Sequence, residues 1–477
     1  MTSLTNTAYL YEKISEDISK SIEDALYTTG QKLPSLREIS GRYNVSMATA
    51  IKAYEQLELE GVVEVRPKSG YFVLPKTDQE PEYLEITQPK LKPTSVNVSH
   101  LAMSLINESR QPRLTKLGAA VPDKDLLPIG SLSRTLAGVA RREWKSLASY
   151  EDSRGNESLR KQIAKIMRDS GYQCKAEEVI ITNGCLESLN LALRCITKIG
   201  DTIAIESPTY FGVLQVIENC GLKALEIPTH PQNGIDPSAL EKALKTQKVS
   251  ACILIPSFSN PLGSCMPDEN KKQVLNILEK AKIPLIEDDI YGDLSYESPR
   301  PRSMKSFGSP DNVLYCSSFS KTLSPGLRIG WILPGGYTEQ VIYQKFLDNI
   351  STNIHSQLAI AEFIERGQYR KAIRNSSRIY QRRMEKMKHW VKEYFPKGTL
   401  ITSPQGGFIA WVELPKSIDT FSLYRKALEK RISITPGLLF SSQKQYLHHI
   451  RLSCGSVNEE RVRLSLKTLG KLVFEEM

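Results

Sequence analysis

From Tyr9 to Tyr27 the apolar residues Leu10, Ile14, Ile18, Ile22, Ala25 and Leu26 recur on one face at helical spacing. Lys32-Leu33-Pro34-Ser35 interrupts that pattern. Ser35, with Glu38 three residues on, has the form of a capping box for a helix from Leu36 to about Tyr43. Asn44-Val45-Ser46 is a tight connection, after which Ser46 caps a helix from Met47 to about Glu60 that closes at Gly61. Val62–Val65 and Tyr71–Val73 then read as two short strands around the basic turn Arg66-Pro67-Lys68-Ser69-Gly70.

Three helices followed by a small hairpin make a winged helix-turn-helix, which places the helix opened by Ser46 in the major groove of double-stranded DNA. Ser46, Met47 and Thr49 would face base edges or phosphates. Arg66 and Lys68 would project from the wing toward the backbone or minor groove, and Arg37 and Lys52 complete the DNA-facing set. Residues 1–75 nevertheless carry eight Lys/Arg against ten Asp/Glu, net −2. The acids concentrate on the first helix and the far end of the third. A winged helix serving protein contact alone is the competing reading.

Residues 76–113 are rich in Pro, Glu, Lys, Ser, Thr and Asn and read as an extended connector, with room for a short helix over Val98–Glu108. Beyond it, apolar runs alternate with helical segments. The strand candidates are Val179–Thr182, Thr202–Ile205, Lys223–Ile227, Ala251–Ile255, Pro284–Asp288 and Val313–Cys316. The helices between them include Leu186–Ile199, Tyr210–Cys220, Pro237–Thr246 and Asp268–Ala281. The pattern is α/β with a mostly parallel sheet, and ligand groups are expected at the strand ends.

At 477 residues the chain is long enough for two or three domains, and its 40% hydrophobic and 24% charged content suits a globular protein. A net charge of +10 permits a polyanionic partner. None of the eight cysteines stands in a C-x-x-C pair, so reduced thiols are expected. The six histidines show no metal-binding spacing, and no metal is expected. Neither a signal peptide nor an apolar span of membrane length is visible, which points to the cytoplasm and away from a membrane.

The chemistry gathers at the strand ends. In Ser317-Ser318-Phe319-Ser320-Lys321 a lysine able to form an imine with an aldehyde follows two hydroxyls, and Arg328 stands seven residues on. Asn183-Gly184-Cys185-Leu186 follows a strand and opens a helix, a place where backbone N–H groups and the helix dipole hold phosphate. Tyr210 can lie flat on an aromatic ring. Asn260 and Tyr291 offer donors to a phenolate oxygen. Asp288 closes an apolar strand and can keep a pyridine nitrogen protonated. Arg451 can clamp a carboxylate in bidentate fashion. Singly, each also has a structural explanation, as a turn former, core aromatic or surface ion pair; together they make a set. A basic helical stretch between Arg366 and Lys392 is read as a solvated helix joining two domains, with DNA contact as the alternative.

Leu33-Pro34-Ser35-Leu36-Arg37, Val45-Ser46, Ala53-Tyr54-Glu55-Gln56-Leu57, Glu60-Gly61 and Ser69–Val73 resemble the DNA-binding domain of GntR-type repressors. Met47 departs from that family, which often has arginine there, so no base contact carries over at this position. From about Leu114 the chain resembles the fold-type I PLP-dependent aminotransferases. Gly118 before Val121-Pro122-Asp123, Tyr150 before Gly155, Leu159-Arg160, Gly406-Gly407-Phe408 and Pro436-Gly437 add to the set above. The resemblance implies pyridoxal 5'-phosphate (PLP) on Lys321, with Asp288 (Asp289 as its rival) at the pyridine nitrogen. It also implies Asn260 and Tyr291 at the ring oxygen, and Tyr210 stacked on the ring. Gly184, Cys185, Ser318, Ser320 and Arg328 would hold the phosphate, with Tyr150 reaching in from a second subunit. Together the two parts look like the MocR family of bacterial regulators. That implies a DNA-binding domain over 1–75, a linker over 76–113 and an aminotransferase-like domain over 114–477. It further implies a domain-swapped homodimer and an amino compound or PLP as effector. An active transaminase with an accessory DNA-binding domain is the alternative.

Overall fold

The computed structural model describes residues 10–477 save 25, 29, 67, 68, 75–83, 85, 110, 112, 310 and 457. The chain divides into two units. One is the chain up to Glu82 with Gln381–His389; the other is Tyr83–Tyr380 with Trp390–Met477.

In the first unit the helices are α1 (Leu10–Glu23), α2 (Leu36–Arg42) and α3 (Met47–Leu59), followed by strands β1 (Val63–Arg66) and β2 (Gly70–Val73). The capping box forms: Ser35 Oγ accepts from the Glu38 N–H at 3.3 Å, and Glu38 Oε2 accepts from the Ser35 N–H at 2.6 Å. Ser46 Oγ accepts from the Thr49 N–H at 3.1 Å and so caps α3. Gly61, at φ +69°, turns the chain out of that helix. Strands β1 and β2 pair antiparallel with Val63 opposite Val73. Ile14, Ile18, Ile39, Ala53, Leu57 and Val73 are buried together.

The first helix is shorter than its apolar period suggests. Leu10 and Leu26 are 61% and 69% exposed, while Tyr9 and Ala25 lie outside the described residues. The reason is downstream: the chain must leave the helix to run beside β2. There Gly30 N–H donates to Val73 O at 2.8 Å and Leu33 N–H to Tyr71 O at 2.8 Å.

In the second unit the strands Lys223–His230, Thr202–Ser207, Ala251–Leu254, Leu285–Asp288 and Val313–Ser318 lie side by side in that order and run parallel. Gly330–Leu333 adds antiparallel to the last of them and Ile180–Thr182 antiparallel to it in turn, so Ile180–Thr182 points the same way as the parallel set. The parallel strands are buried on both faces, which is why they read as unbroken apolar runs. Helices Cys185–Ile196, Phe211–Asn219, Pro237–Thr246 and Asp268–Lys280 follow strands as expected.

Part of the stretch read as a connector is built into this unit. Thr94–Ser95 pairs antiparallel with Lys223 and Ala224 at the sheet edge. Helix Ser99–Ser109 is anchored at its start by Glu218, which accepts from the N–H groups of Val98 and Ser99 at 2.9 and 3.1 Å. A second, antiparallel sheet in the order Leu400–Ile401, Ile409–Glu413, His449–Ser453, Thr435–Pro436 carries Arg451. The basic stretch lies on helix Gln368–Tyr394, where Arg370 pairs with Asp169 at 2.9 Å. No helix among the described residues is long and apolar enough to cross a membrane. All eight cysteines are free thiols.

Candidate effector site and DNA-facing surface

The parallel strands deliver their polar groups to one side of the sheet. Asp288 ends Leu285–Asp288, Ser318 ends Val313–Ser318, and Gly184 follows Ile180–Thr182. Gly184 sits at φ +92°, and a Cβ there would stand 2.2 Å from Arg328 Nη2, so only glycine lets the guanidinium lie across the helix start. Arg328 Nη2 donates to Asn183 O at 2.9 Å and Nη1 to Ser320 Oγ at 3.3 Å. Ser318 Oγ accepts from the Ser320 N–H at 3.2 Å. The helix beginning at Cys185 has no side-chain cap. Its first N–H groups, two hydroxyls and a guanidinium thus converge.

Asp288 is buried at the foot of this cradle. Burial pushes its carboxyl up to about 6, against a hydrogen bond from Cys185 Sγ at 3.3 Å that favours the ionised form. Asp289, its rival, is already engaged: it pairs with Arg300 and accepts from the Tyr315 hydroxyl at 2.7 Å. Asp288 is therefore the carboxylate in electrostatic contact with Lys321. The Lys321 amine donates to Ala120 O at 2.7 Å. Withdrawal from water, with the Arg451 and Arg328 charges, brings the amine down to about 8, although Asp288 pulls the other way. Only the neutral amine attacks an aldehyde. Covalent capture of PLP should thus accelerate about tenfold per pH unit below about 8 and level off above it. Stopped-flow absorbance from about pH 6 to about pH 9 reads this, and a flat profile would contradict it.

Arg451 is 3% exposed. It donates to Gly118 O at 2.6 and 3.2 Å, to Asn260 Oδ1 at 2.9 Å and to Thr435 Oγ1 at 3.4 Å. Tyr291 hydrogen-bonds with Asn260, and burial raises its phenol above the ordinary range. Tyr210 senses the charges of Arg451, Asp288 and Arg328. A Cβ on Gly212 would meet its ring at 2.3 Å, so this glycine makes room for it.

One chain thus brings together Lys321, Asp288, Asn260, Tyr291, Tyr210, Gly184, Cys185, Ser318, Ser320, Arg328 and Arg451. Tyr150 does not join them and is 80% exposed. The Cys185 side chain faces Asp288, so what it can offer a phosphate is its N–H, not its thiol. Sequence spacing also missed Glu413, His448 and His449, whose ligand atoms lie within 4.8 Å of one another; burial holds His449 down to about 3.

On the winged helix, Arg37, Ser46, Met47, Lys52 and Arg66 are exposed, and Thr49 is half-buried. Thr49 Oγ1 and Ser46 Oγ hydrogen-bond each other at 2.8 Å. Arg66 pairs with Glu64 at 2.7 Å and lies 4.2 Å over the Phe72 ring. Lys68 lies outside the described residues.

Residues 10–73 match the gntR family of bacterial regulatory proteins, and residues 112–469 match the class I and II aminotransferases. The chain is a MocR-type regulator. It is 36% identical over 467 residues to the HTH-type transcriptional regulator YjiR of Escherichia coli, covering 98% of this chain and 99% of the relative. A second Escherichia coli regulator, YdcR, is 33% identical over the same length, with the same coverage. Kynurenine aminotransferase of Pyrococcus horikoshii superposes with a TM-score of 0.74 at 26% identity, over 79% of this chain and 95% of that one. The cofactor of this MocR-type regulator is pyridoxal 5'-phosphate. The residues fit it: an uncapped helix start beside Arg328 suits a phosphate, buried Asp288 a ring nitrogen, and the Lys321 amine an aldehyde.

Proposed function

We propose that this MocR-type regulator binds double-stranded DNA through its winged helix and senses PLP, or an amino compound bearing a carboxylate, at Lys321. PLP supplies an aldehyde to which amines add. Lys321 holds the cofactor covalently. Gly184 and Cys185 N–H groups, Ser318, Ser320 and Arg328 would hold its phosphate, and Asp288 would keep its ring nitrogen protonated. Asn260 and Tyr291 would serve the ring oxygen, and Tyr210 the ring face. Arg451 takes the effector carboxylate.

The observation that carries the carboxylate is Arg451 itself. A buried guanidinium is costly without an anion, and its hydrogen-bond partners among the described residues are two neutral side chains and a carbonyl. The test is to titrate the PLP-loaded protein with L-α-amino acids and with the matching decarboxylated amines. Amino acids should perturb its visible spectrum and its DNA affinity at concentrations at least tenfold lower. Equal responses would remove the carboxylate from the reading.

The regulator works as a homodimer in the cytoplasm, with each winged helix placed over the partner's aminotransferase-like domain and Tyr150 entering the partner's site. Supporting this, Trp144 and Leu147 beside Tyr150 are 61% and 68% exposed. Helix Thr338–Asn349 also leaves Tyr343, Phe346 and Leu347 uncovered at helical spacing. A twofold protein reads two half-sites. On the wing, Arg66→Ala should weaken binding about equally on all DNA sequences and lower the salt slope by about 1. Anisotropy titrations at several salt concentrations read this; unchanged affinity and slope would take the wing out of the contact.

Transamination is the second reading, favoured by the completeness of the residue set around Lys321. Turnover of an amino donor with a keto acid, without any effect on DNA binding, would establish it instead.

A further inference from the structure

The effector site and the connector that leads to the winged helix meet on one short segment, Phe440–Tyr446. At the site end, the Phe440 ring lies 5.2 Å from the Arg451 guanidinium, and Phe440 O accepts from the Thr209 N–H at 3.0 Å, next to Tyr210. In the middle sits Glu226, fully buried on strand Lys223–His230. Its carboxylate accepts from Ser207 Oγ at 2.6 Å, Ser441 Oγ at 2.9 Å, Ser442 N–H at 2.5 Å and Ser442 Oγ at 2.8 Å. At the connector end, Gln443 grips the backbone of Lys90. Gln443 Oε1 accepts from the Lys90 N–H at 3.0 Å, and Gln443 Nε2 donates to Lys90 O at 2.9 Å. The Tyr446 hydroxyl, 3.0 Å from Ser207 Oγ, also hydrogen-bonds with Thr87 of the connector.

The segment is strained. Lys444 and Tyr446 hold left-handed backbone at φ +55° and +61°, which non-glycine residues keep only when their contacts impose it.

We infer that Phe440–Gln443 is the relay that carries effector occupancy at Arg451 to the connector, with the double hydrogen bond between Gln443 and Lys90 as its output. This rests on the reading of Arg451 as the effector site. An anion taken by Arg451 alters the guanidinium's contact with Phe440, and the Glu226 carboxylate ties the Phe440 segment rigidly to Gln443. Coupling of two sites requires such an element, whose balance both ends bias. Gln443 touches neither cofactor nor effector; it positions the connector.

The experiment uses full-length, PLP-loaded protein, a DNA fragment from upstream of its own gene, and the common L-α-amino acids as probes. In the unaltered protein the active probe should change DNA affinity by about five- to 150-fold. Gln443→Ala should keep the visible absorption of bound PLP, the probe affinity and the probe-free DNA affinity. Its probe-dependent change in DNA affinity should fall to within about twofold. Gln443→Glu, which keeps the acceptor for the Lys90 N–H but loses the donor to Lys90 O, should lose the response as well. Hydrogen exchange at the Lys90 amide should shift with the probe in the unaltered protein and not in Gln443→Ala. A full response in both variants overturns the relay while leaving the effector site standing. No response to any amino acid in the unaltered protein overturns the effector reading, and the relay with it.

Discussion

Lys321→Ala yields a protein that folds and binds PLP only reversibly, with the visible absorption of lysine-bound cofactor lost completely. The physical basis is the Lys321 amine, which stands in the cradle. Lys321 Nζ stands among Asp288, Arg451 and Arg328 and is brought down to about 8 by withdrawal from water and the flanking cations. Removing it relieves the burial of a charge. Ala120 O is left without its 2.7 Å donor, a loss of about 1–3 kcal/mol, which a domain of this size tolerates. The groups that would hold the phosphate, Gly184, Ser320 and Arg328, are untouched, so dialysable binding should persist. A visible spectrum unchanged from that of the unaltered protein would contradict the assignment of Lys321 outright.

Arg451→Ala abolishes the response to carboxylate-bearing amino compounds at ordinary concentrations. Truncating one partner of a buried, hydrogen-bonded charge pair costs about 2–5 kcal/mol, which is about 30-fold to several thousand-fold in affinity. Arg451→Lys retains the charge but not the planar fork and falls between the two. The substitution also takes a 2.9 Å donor from Asn260 Oδ1, so PLP affinity serves as the control and should change far less than amino-acid affinity. Isothermal titration of each variant, with amino acids on the PLP-loaded protein and with PLP on the cofactor-free protein, measures both. An unchanged amino-acid affinity would move the carboxylate elsewhere in the site.

Much of this was legible in the sequence because local chemistry and tertiary structure agree. Ser35 and Glu38 form their capping box, and Asp288 closes a strand whose apolar neighbours are buried on both faces. The order of polar groups after the strands also survives folding, since parallel strands place their ends together. What stayed hidden depends on distant partners. Leu10 and Leu26 fit the helical period yet end up exposed, Leu26 because residues 30–33 are needed beside β2 and the helix ends before it. Thr94–Ser95 looks like connector until Lys223 and Ala224 pair with it. The Cys185 thiol turns toward a carboxylate 103 positions away. Glu226 reads as an ordinary acid in a strand, and nothing near it in sequence announces the serines at 441 and 442. No spacing rule finds a residue whose role is set by a loop more than two hundred positions distant.

Occupancy of the Lys321 site is expected to control DNA binding. The direct test is a footprint of the purified regulator on DNA upstream of its own gene and its neighbours, with and without PLP. The expected result is protection of a repeated or palindromic site, two half-sites for two winged helices, with a pattern that changes when PLP is added. A protein that carries lysine-bound PLP but protects no DNA at moderate salt would contradict the claim and leave transamination as the function of the site.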